Sequence, residues 1–242
     1  MKIALVSDIH GNMEALEAVL ADIDRETVEA VFSLGDNIGY GAEPERVIQT
    51  LQRRHILSVV GNHELAVRRP GFLDWFNPAA RRSLRLTFQM LSATSLDWIA
   101  AMPLHRQVAD GRLVHGFPPD SPTLYLFQMP AGEKRRALQA LPERICFVGH
   151  THVPELIRLD GDTLADVPWV EGRNRLEPPL KFFANIGSVG QPRDGDARAK
   201  YAIWEPDAHT LEMRCVPYDT RSAAAKIIAA GLPEAHAHRL LE

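Results

Sequence analysis

Cysteine is scarce in this chain, with only Cys146 and Cys215 among 242 residues. Neither has a second cysteine close by, and each sits in an apolar, strand-like run. The sequence therefore supports neither a disulfide-stapled secreted domain nor a thiolate metal site. Long apolar runs are also missing. None approaches the roughly 18 residues of a membrane span, and the run ending at Asp8 is shorter than the about 7–15 residues of a secretory signal core. The expectation is a cytoplasmic protein without a membrane anchor. Positive charge is not in surplus, since 27 Lys and Arg stand against 31 Asp and Glu. That balance argues against general nucleic-acid binding. Internal repeats, low-complexity tracts and linkers are absent too. What is present, 45% hydrophobic and 24% charged residues, suits one globular domain over residues 1–242.

The first part of the chain alternates short apolar runs with helical periodicity. Strands are expected at 2–7, 30–34 and 56–60, and helices at 13–24 and 43–53. That β-α-β-α-β order implies a mainly parallel sheet. A helix-rich insert follows at 68–101, with a second helix from Leu96 capped by Thr94 or Ser95. Strands return at 104–109 and 112–115, joined by a turn at Asp110-Gly111. A helix over 133–140 and a buried strand over 145–148 come next. The remainder looks antiparallel, with strands at 155–159, 163–167, 181–186, 201–204 and 210–216. Residues 170–179 read as a surface loop, and helices at 219–230 and 233–241 end the chain. Two face-to-face sheets with helices outside is the simplest packing of this set.

Five segments share one pattern, an apolar strand followed by residues able to bind metal. They end in Ser7-Asp8-Ile9-His10-Gly11, Gly35-Asp36-Asn37, Gly61-Asn62-His63-Glu64, Val114-His115-Gly116 and Gly149-His150-Thr151-His152. Ligands of open α/β sheets bind beyond the carboxyl ends of the strands. Asp8, His10, Asp36, Asn62, His63, His115, His150 and His152 are therefore expected in one crevice. Imidazole, carboxylate and amide oxygen together suit Mn²⁺, Fe, Zn²⁺ or Ni²⁺ better than Ca²⁺. The donors are too many for one tetrahedral ion, whereas two ions sharing a carboxylate would use them. Two divalent cations against two carboxylates leave positive charge over, so an anion such as phosphate should bind.

These motifs, in this order, resemble those of the calcineurin-like metallophosphoesterases. The segment from Asn185-Ile186-Gly187-Ser188 to Arg193 extends the resemblance to the small bacterial phosphodiesterase-like group. The resemblance implies a four-layer α/β/β/α sandwich of two mixed sheets. It also implies two divalent ions, with Mn²⁺ foremost. One ion would take Asp8, His10, Asp36 and His152, and the other Asp36, Asn62, His115 and His150, with Asp36 bridging. His63 would be the general acid. The activity implied is hydrolysis of a phosphodiester or phosphomonoester of a small substrate by metal-activated hydroxide.

One departure bears on the substrate. The family's protein and dinucleotide tetraphosphatases carry an Arg shortly after the Gly-Asp motif, and none stands in Asp36-Asn37-Ile38-Gly39-Tyr40-Gly41. A protein or dinucleotide polyphosphate phosphatase is thus the weaker alternative. A non-catalytic protein-binding scaffold is weaker still, because no ligand position is lost. Asn12, Tyr40 and Arg193 are candidate substrate contacts, Asn12 being equally suited to cap a helix. Phe117 suits a leaving-group contact and packing equally, and Trp75 and Phe76 lie in a region able to cover the cleft but read mainly as packing residues of the insert. His55, His105, His209, His236 and His238 read as structural or exposed. The expected partners are a small phosphorylated substrate and phosphate ion, and a homo-oligomer is compatible with the sequence.

Overall fold

The computed structural model describes residues 1–242. Its frame is two six-stranded sheets packed face to face. The first sheet is seeded by β1 (Ile3–Val6), β2 (Ala30–Ser33) and β3 (Leu57–Ser58), which run parallel. The helices α1 (Met13–Ile23) and α2 (Pro44–Arg53) connect them. Antiparallel β11 (Ala199–Glu205), β12 (Thr210–Val216) and β9 (Gly172–Arg175) complete it in the order β3-β2-β1-β11-β12-β9.

The second sheet has the order β4-β5-β6-β10-β7-β8. Its strands are β4 (His105–Val108), β5 (Gly111–Val114), β6 (Ile145–Val148), β7 (Glu155–Asp160), β8 (Thr163–Val167) and β10 (Lys181–Asn185). Here β5, β6 and β10 are parallel neighbours.

Strand periodicity builds the layers. Ile3 and Leu5 of β1 point into the inter-sheet core with Ile145 and Phe147 of β6, Phe182 and Trp204. Their neighbours Ala4 and Val6 face the other way, onto Leu16, Val19 and Leu20 of α1. Cys146 and Val148 face outward beneath α6 (Ala131–Ala140), meeting its Leu138. Alternate side chains of each strand thus enter different cores, which gives the expected helix-sheet-sheet-helix order. Both cysteines are free and lie on strands, Cys146 on β6 and Cys215 on β12. No helix is long and apolar enough to cross a membrane.

Three local expectations need correction. The hairpin turn is Ala109-Asp110, because Val108 pairs with Gly111. Ala109 takes the positive φ, 48°, and Gly111 lies within β5. Residues 170–179 are not all loop. They contain the edge strand β9, anchored on either side by buried Trp169 and Leu176. In the insert, α4 (Pro78–Gln89) is followed by α5 (Ala93–Ala100), whose cap is Ser92 rather than Thr94 or Ser95. Asn62 and His63 lie past the end of β3, where the sequence reading put them. They open α3 (Asn62–Arg68), and a 3-10 turn at Pro70–Trp75 follows. The chain closes with α7 (Thr220–Ala229) and α8 (Glu234–His238), which share a small core with Leu232 and Leu240.

Candidate active site

The carboxyl ends of five parallel strands meet along one edge of the two sheets. Asp8 and His10 follow β1, Asp36 follows β2, and Asn62 and His63 follow β3. His115 directly follows β5, and His150 and His152 follow β6. All eight are at most 8% exposed. Asp8, His10, Asp36, His150 and His152 have φ between 50° and 69°. Residues with side chains rarely adopt this region, and it costs of order 1–3 kcal/mol each. Surrounding hydrogen bonds hold the loops there. The Asp8 N–H donates to Gly35 O at 3.0 Å, and the His10 N–H to Asp36 O at 2.9 Å.

The donor atoms converge. Three groups fall within 4.8 Å of one another, namely Asp8/His10/His152, His10/Asp36/His63 and Asp36/His115/His150. Asp36 belongs to two of them. Its Oδ2 lies 3.2 Å from His115 Nε2 and 3.8 Å from His10 Nε2, while Oδ1 accepts the His63 N–H at 2.9 Å. Asp8 Oδ2 accepts from Ser7 Oγ and the His150 N–H. Its Oδ1, buried and without a hydrogen-bond donor, sits 3.3 Å from His152 Nε2. Asn62 Oδ1 is 3.3 Å from His115 Nε2.

Each of four imidazoles is oriented by a backbone carbonyl on its far side. His10 Nδ1 pairs with Ile38 O, His115 Nδ1 with Leu34 O, His152 Nδ1 with Gln191 O, and His150 Nε2 with Thr123 O. A carbonyl only accepts, so the ring nitrogen facing it carries the proton and a neutral ring turns its lone pair inward. His10 Nε2 and His152 Nε2 thereby face each other at 3.1 Å. Two lone pairs at that distance, beside an orphaned carboxylate oxygen, suit a cation. The donor set fits borderline divalent metals.

The electrostatics agree. Burial alone would raise the pKa of Asp36, but His115 and His63 hold it well below the usual carboxylate range. Burial would likewise raise Asp8, and His152 and His115 outweigh it. Burial lowers His115, yet Asp36 and Asp8 push it up to about 9. The site thus keeps a proton between His115 and Asp36 where a cation would otherwise balance the charge. Burial keeps the His63 and His150 rings neutral, taking them down to about 4 and about 3.

Glu64 is a residue whose role the sequence did not disclose. Its buried carboxylate accepts the N–H groups of Asp36, Asn37 and Gly61 at 2.8–3.0 Å. It ties the Asp36 loop to the first turn of α3. Its signal was its place at the third position of that helix, where a Glu reaches back to free backbone donors. Burial and Asp36 push its pKa up to about 7. The segment after β10 braces the same loops. Asn185 Nδ2 donates to Gly149 O and Thr151 Oγ1, and Ser188 Oγ donates to Asp8 O.

A cleft of about 630 Å³ opens over this cluster, with Asn62 and His150 in its lining. Tyr40 and Arg193, the candidate substrate contacts, are among its lining residues. Tyr40 packs against His10 and His63, and the Arg193 guanidinium lies 6.0 Å from the Tyr40 ring. Asn12 does not line it. Its Oδ1 caps α1 at Ala15 N, and its Nδ2 donates to Gly190 O and Tyr218 OH. Phe117 is core, stacked on Phe183. Trp75, Phe76 and His236, read from sequence as packing or structural residues, are cleft residues instead.

The chain matches the model of the calcineurin-like phosphoesterase superfamily domain over residues 1–209. It is 32% identical to an uncharacterized protein of Methanocaldococcus jannaschii over 249 aligned positions, covering 98% of this chain and 96% of that one. The structure is similar to that of a metallophosphoesterase from Sphaerobacter thermophilus. The TM-score is 0.87 at 37% identity, covering 100% of this chain and 98% of that one. A hypothetical protein of Pyrococcus horikoshii shares the fold, with TM-score 0.82 at 17% identity over 99% and 97% of the two chains.

Proposed function

Because the chain belongs to the calcineurin-like phosphoesterase superfamily, we propose that it is a dinuclear, metal-dependent hydrolase of a small phosphoester. One observation carries the reading. Donor atoms from five strand ends converge on Asp36, with the Asp8 Oδ1 left unpartnered among them. Asp8, His10, Asp36 and His152 would hold one divalent ion, and Asp36, Asn62, His115 and His150 the second. When bound, such ions supply Lewis acidity at a phosphoryl oxygen and acidify a water. Mn²⁺ is the foremost candidate, with Fe, Zn²⁺ and Ni²⁺ compatible with the same donors.

The chain's own groups supply the rest. Ser7, the His150 N–H and the His63 N–H fix the carboxylate orientations. The carbonyls behind the imidazoles fix their tautomers. His63 projects from the start of α3 with Nδ1 buried and unpartnered and Nε2 3.9 Å from Asp36 Oδ2. Burial keeps this ring neutral when no substrate is bound. Negative charge on a bound phosphoester raises its proton affinity, and His63 then donates to the leaving oxygen as general acid. Arg193 brings a cation to the cleft, in place of the Arg missing after Asp36.

The test is hydrolysis of bis-p-nitrophenyl phosphate and p-nitrophenyl phosphate by metal-stripped protein given back Mn²⁺, Ni²⁺, Zn²⁺ or Mg²⁺. Turnover should require metal and fall about 10²–10⁴-fold in His63→Ala. The diester-to-monoester ratio assigns the ester class. Absence of turnover with two ions bound would sink the reading for these esters.

A further inference from the structure

The cleft over the metal-ligand cluster is far larger than a phosphate ion needs. Its 630 Å³ is the scale of a drug-sized ligand. One wall is aromatic. Phe72 and Trp75 stack with ring centroids 5.6 Å apart, and Phe76 packs edge-on against His63 at 5.1 Å. Trp75 is 81% exposed, an unfavourable disposition for an indole unless something covers it. Tyr125 also lines the cleft and lies flat on His150, 3.8 Å between centroids and 14° from parallel.

The charge of the lining is one-sided. No Asp or Glu lines this cleft in a protein of net charge −4, while Arg193 and Arg239 both do. Neither arginine is in an ion pair. The Arg193 guanidinium donates to Gln191 Oε1 alone, with its Nε buried and unpartnered, and Arg239 is exposed at the end of α8. The two flank His236, whose Nε2 is buried without a partner. Burial takes that ring down to about 4, with Arg239 and Arg193 adding to the effect. Both arginines also border an adjoining cavity of about 220 Å³, whose acidic members are Asp196, engaged by Arg198, and the exposed Glu242 at the end of the sequence. Arg239 and His236 lie beyond residue 209, where the superfamily match ends.

We propose that this cleft selects a phosphoester carrying a planar ring and a second anionic group, with the ring against Trp75 and Tyr125 and the second anion at Arg193 and Arg239. The inference rests on the phosphoesterase reading and narrows its substrate class. Offset stacking supplies affinity for the ring, and a charge-assisted guanidinium contact fixes the far end of the ligand. A phosphoprotein loop or an uncharged alkyl ester satisfies neither end.

Quenching of tryptophan fluorescence in the full, Zn²⁺-loaded His63→Ala chain, where turnover is prevented and Trp75 is the one tryptophan of four that lines the cleft, reads binding. Thymidine 5′-phosphate and thymidine 3′,5′-bisphosphate share a ring and differ by one phosphate. The bisphosphate should bind about tenfold tighter. Arg239→Gln should abolish that gap and Arg239→Lys should keep part of it. Equal affinities, or a gap that survives Arg239→Gln, overturn the proposal.

A turnover arm separates this inference from the underlying reading. With Mn²⁺, thymidine 5′-(p-nitrophenyl phosphate) bearing a 3′-phosphate should show a KM about tenfold below that of the ester without it. Hydrolysis of both esters with equal KM overturns the subsite and leaves the hydrolase. Tight bisphosphate binding without hydrolysis of any ester supports the subsite and overturns the hydrolase.

Discussion

His63 is held in place by a neighbour that has no side chain. Gly39 has φ +85°, and a Cβ built there would fall 2.0 Å from His63 Nδ1. Gly39→Ala therefore strains the backbone and displaces the ring. The expected outcome is a kcat lower by about 10²-fold on bis-p-nitrophenyl phosphate, the lower end of what a lost general acid costs. An unchanged kcat would show that the ring is not needed where it lies. At this scale the clustering of these Asp, Asn and His positions was legible, because each is a polar residue left beyond the end of an apolar strand. Glu64, His236 and Arg239 were not. Their roles depend on which distant loop or helix arrives beside them, and no local pattern encodes that.

The hairpin of β4 and β5 shows the same limit among elements. Asp110-Gly111 carries a turn signal, yet Gly111 serves packing. Its Cβ would meet Trp204 Cη2 at 2.7 Å and Phe147 Cε2 at 3.1 Å. Gly111→Val should destabilise the fold by about 1–3 kcal/mol through overpacking, read as a lower urea midpoint at unchanged m-value. A neutral result would mean that the inter-sheet core yields at this point. Strand β9 was hidden for a different reason. Gly172-Arg173-Asn174-Arg175 has no apolar alternation, since it is an edge strand held by its ladder to β12 and by Arg173 pairing with Glu205 and Glu212. The β-α-β-α-β opening was readable because its strands are short apolar runs and its helices amphipathic. The cap at Ser92 was missed because Thr94 and Ser95 offer the same chemistry two and three residues later.

Across the whole molecule, the site couples metal, protons and stability. His115 has a raised pKa in the folded chain, so its contribution is complete below about pH 6.5 and lost as pH rises through about 9. His63 and His150, which are depressed, contribute above about 6.5 and lose that contribution as pH falls toward 4 and 3. The metal-free protein should therefore be most stable near neutrality, with its Tm falling from pH 7 to 9. Over that interval the Tm increment from added Mn²⁺ should grow, because the ion replaces a proton that is leaving anyway. A metal increment independent of pH would contradict the placement of that proton. The two-sheet sandwich was legible from strand order. The insert was readable as a cover for the cleft, but the wall supplied by the last turns of the chain was not, because those segments are far apart in sequence and meet only when folded.

Five of the eight clustered residues stand at positive φ, and all five belong to the groups whose donor atoms crowd within 4.8 Å of one another. Replacing any of the five by glycine or asparagine would relax the backbone. Selection for heat resistance alone, without metal or substrate, would thus erode this centre before it touched the core. Variants that gain melting temperature at Asp8, His10, Asp36, His150 or His152 would be bought with lost chemistry. The identity of these residues is therefore a record of use rather than of folding.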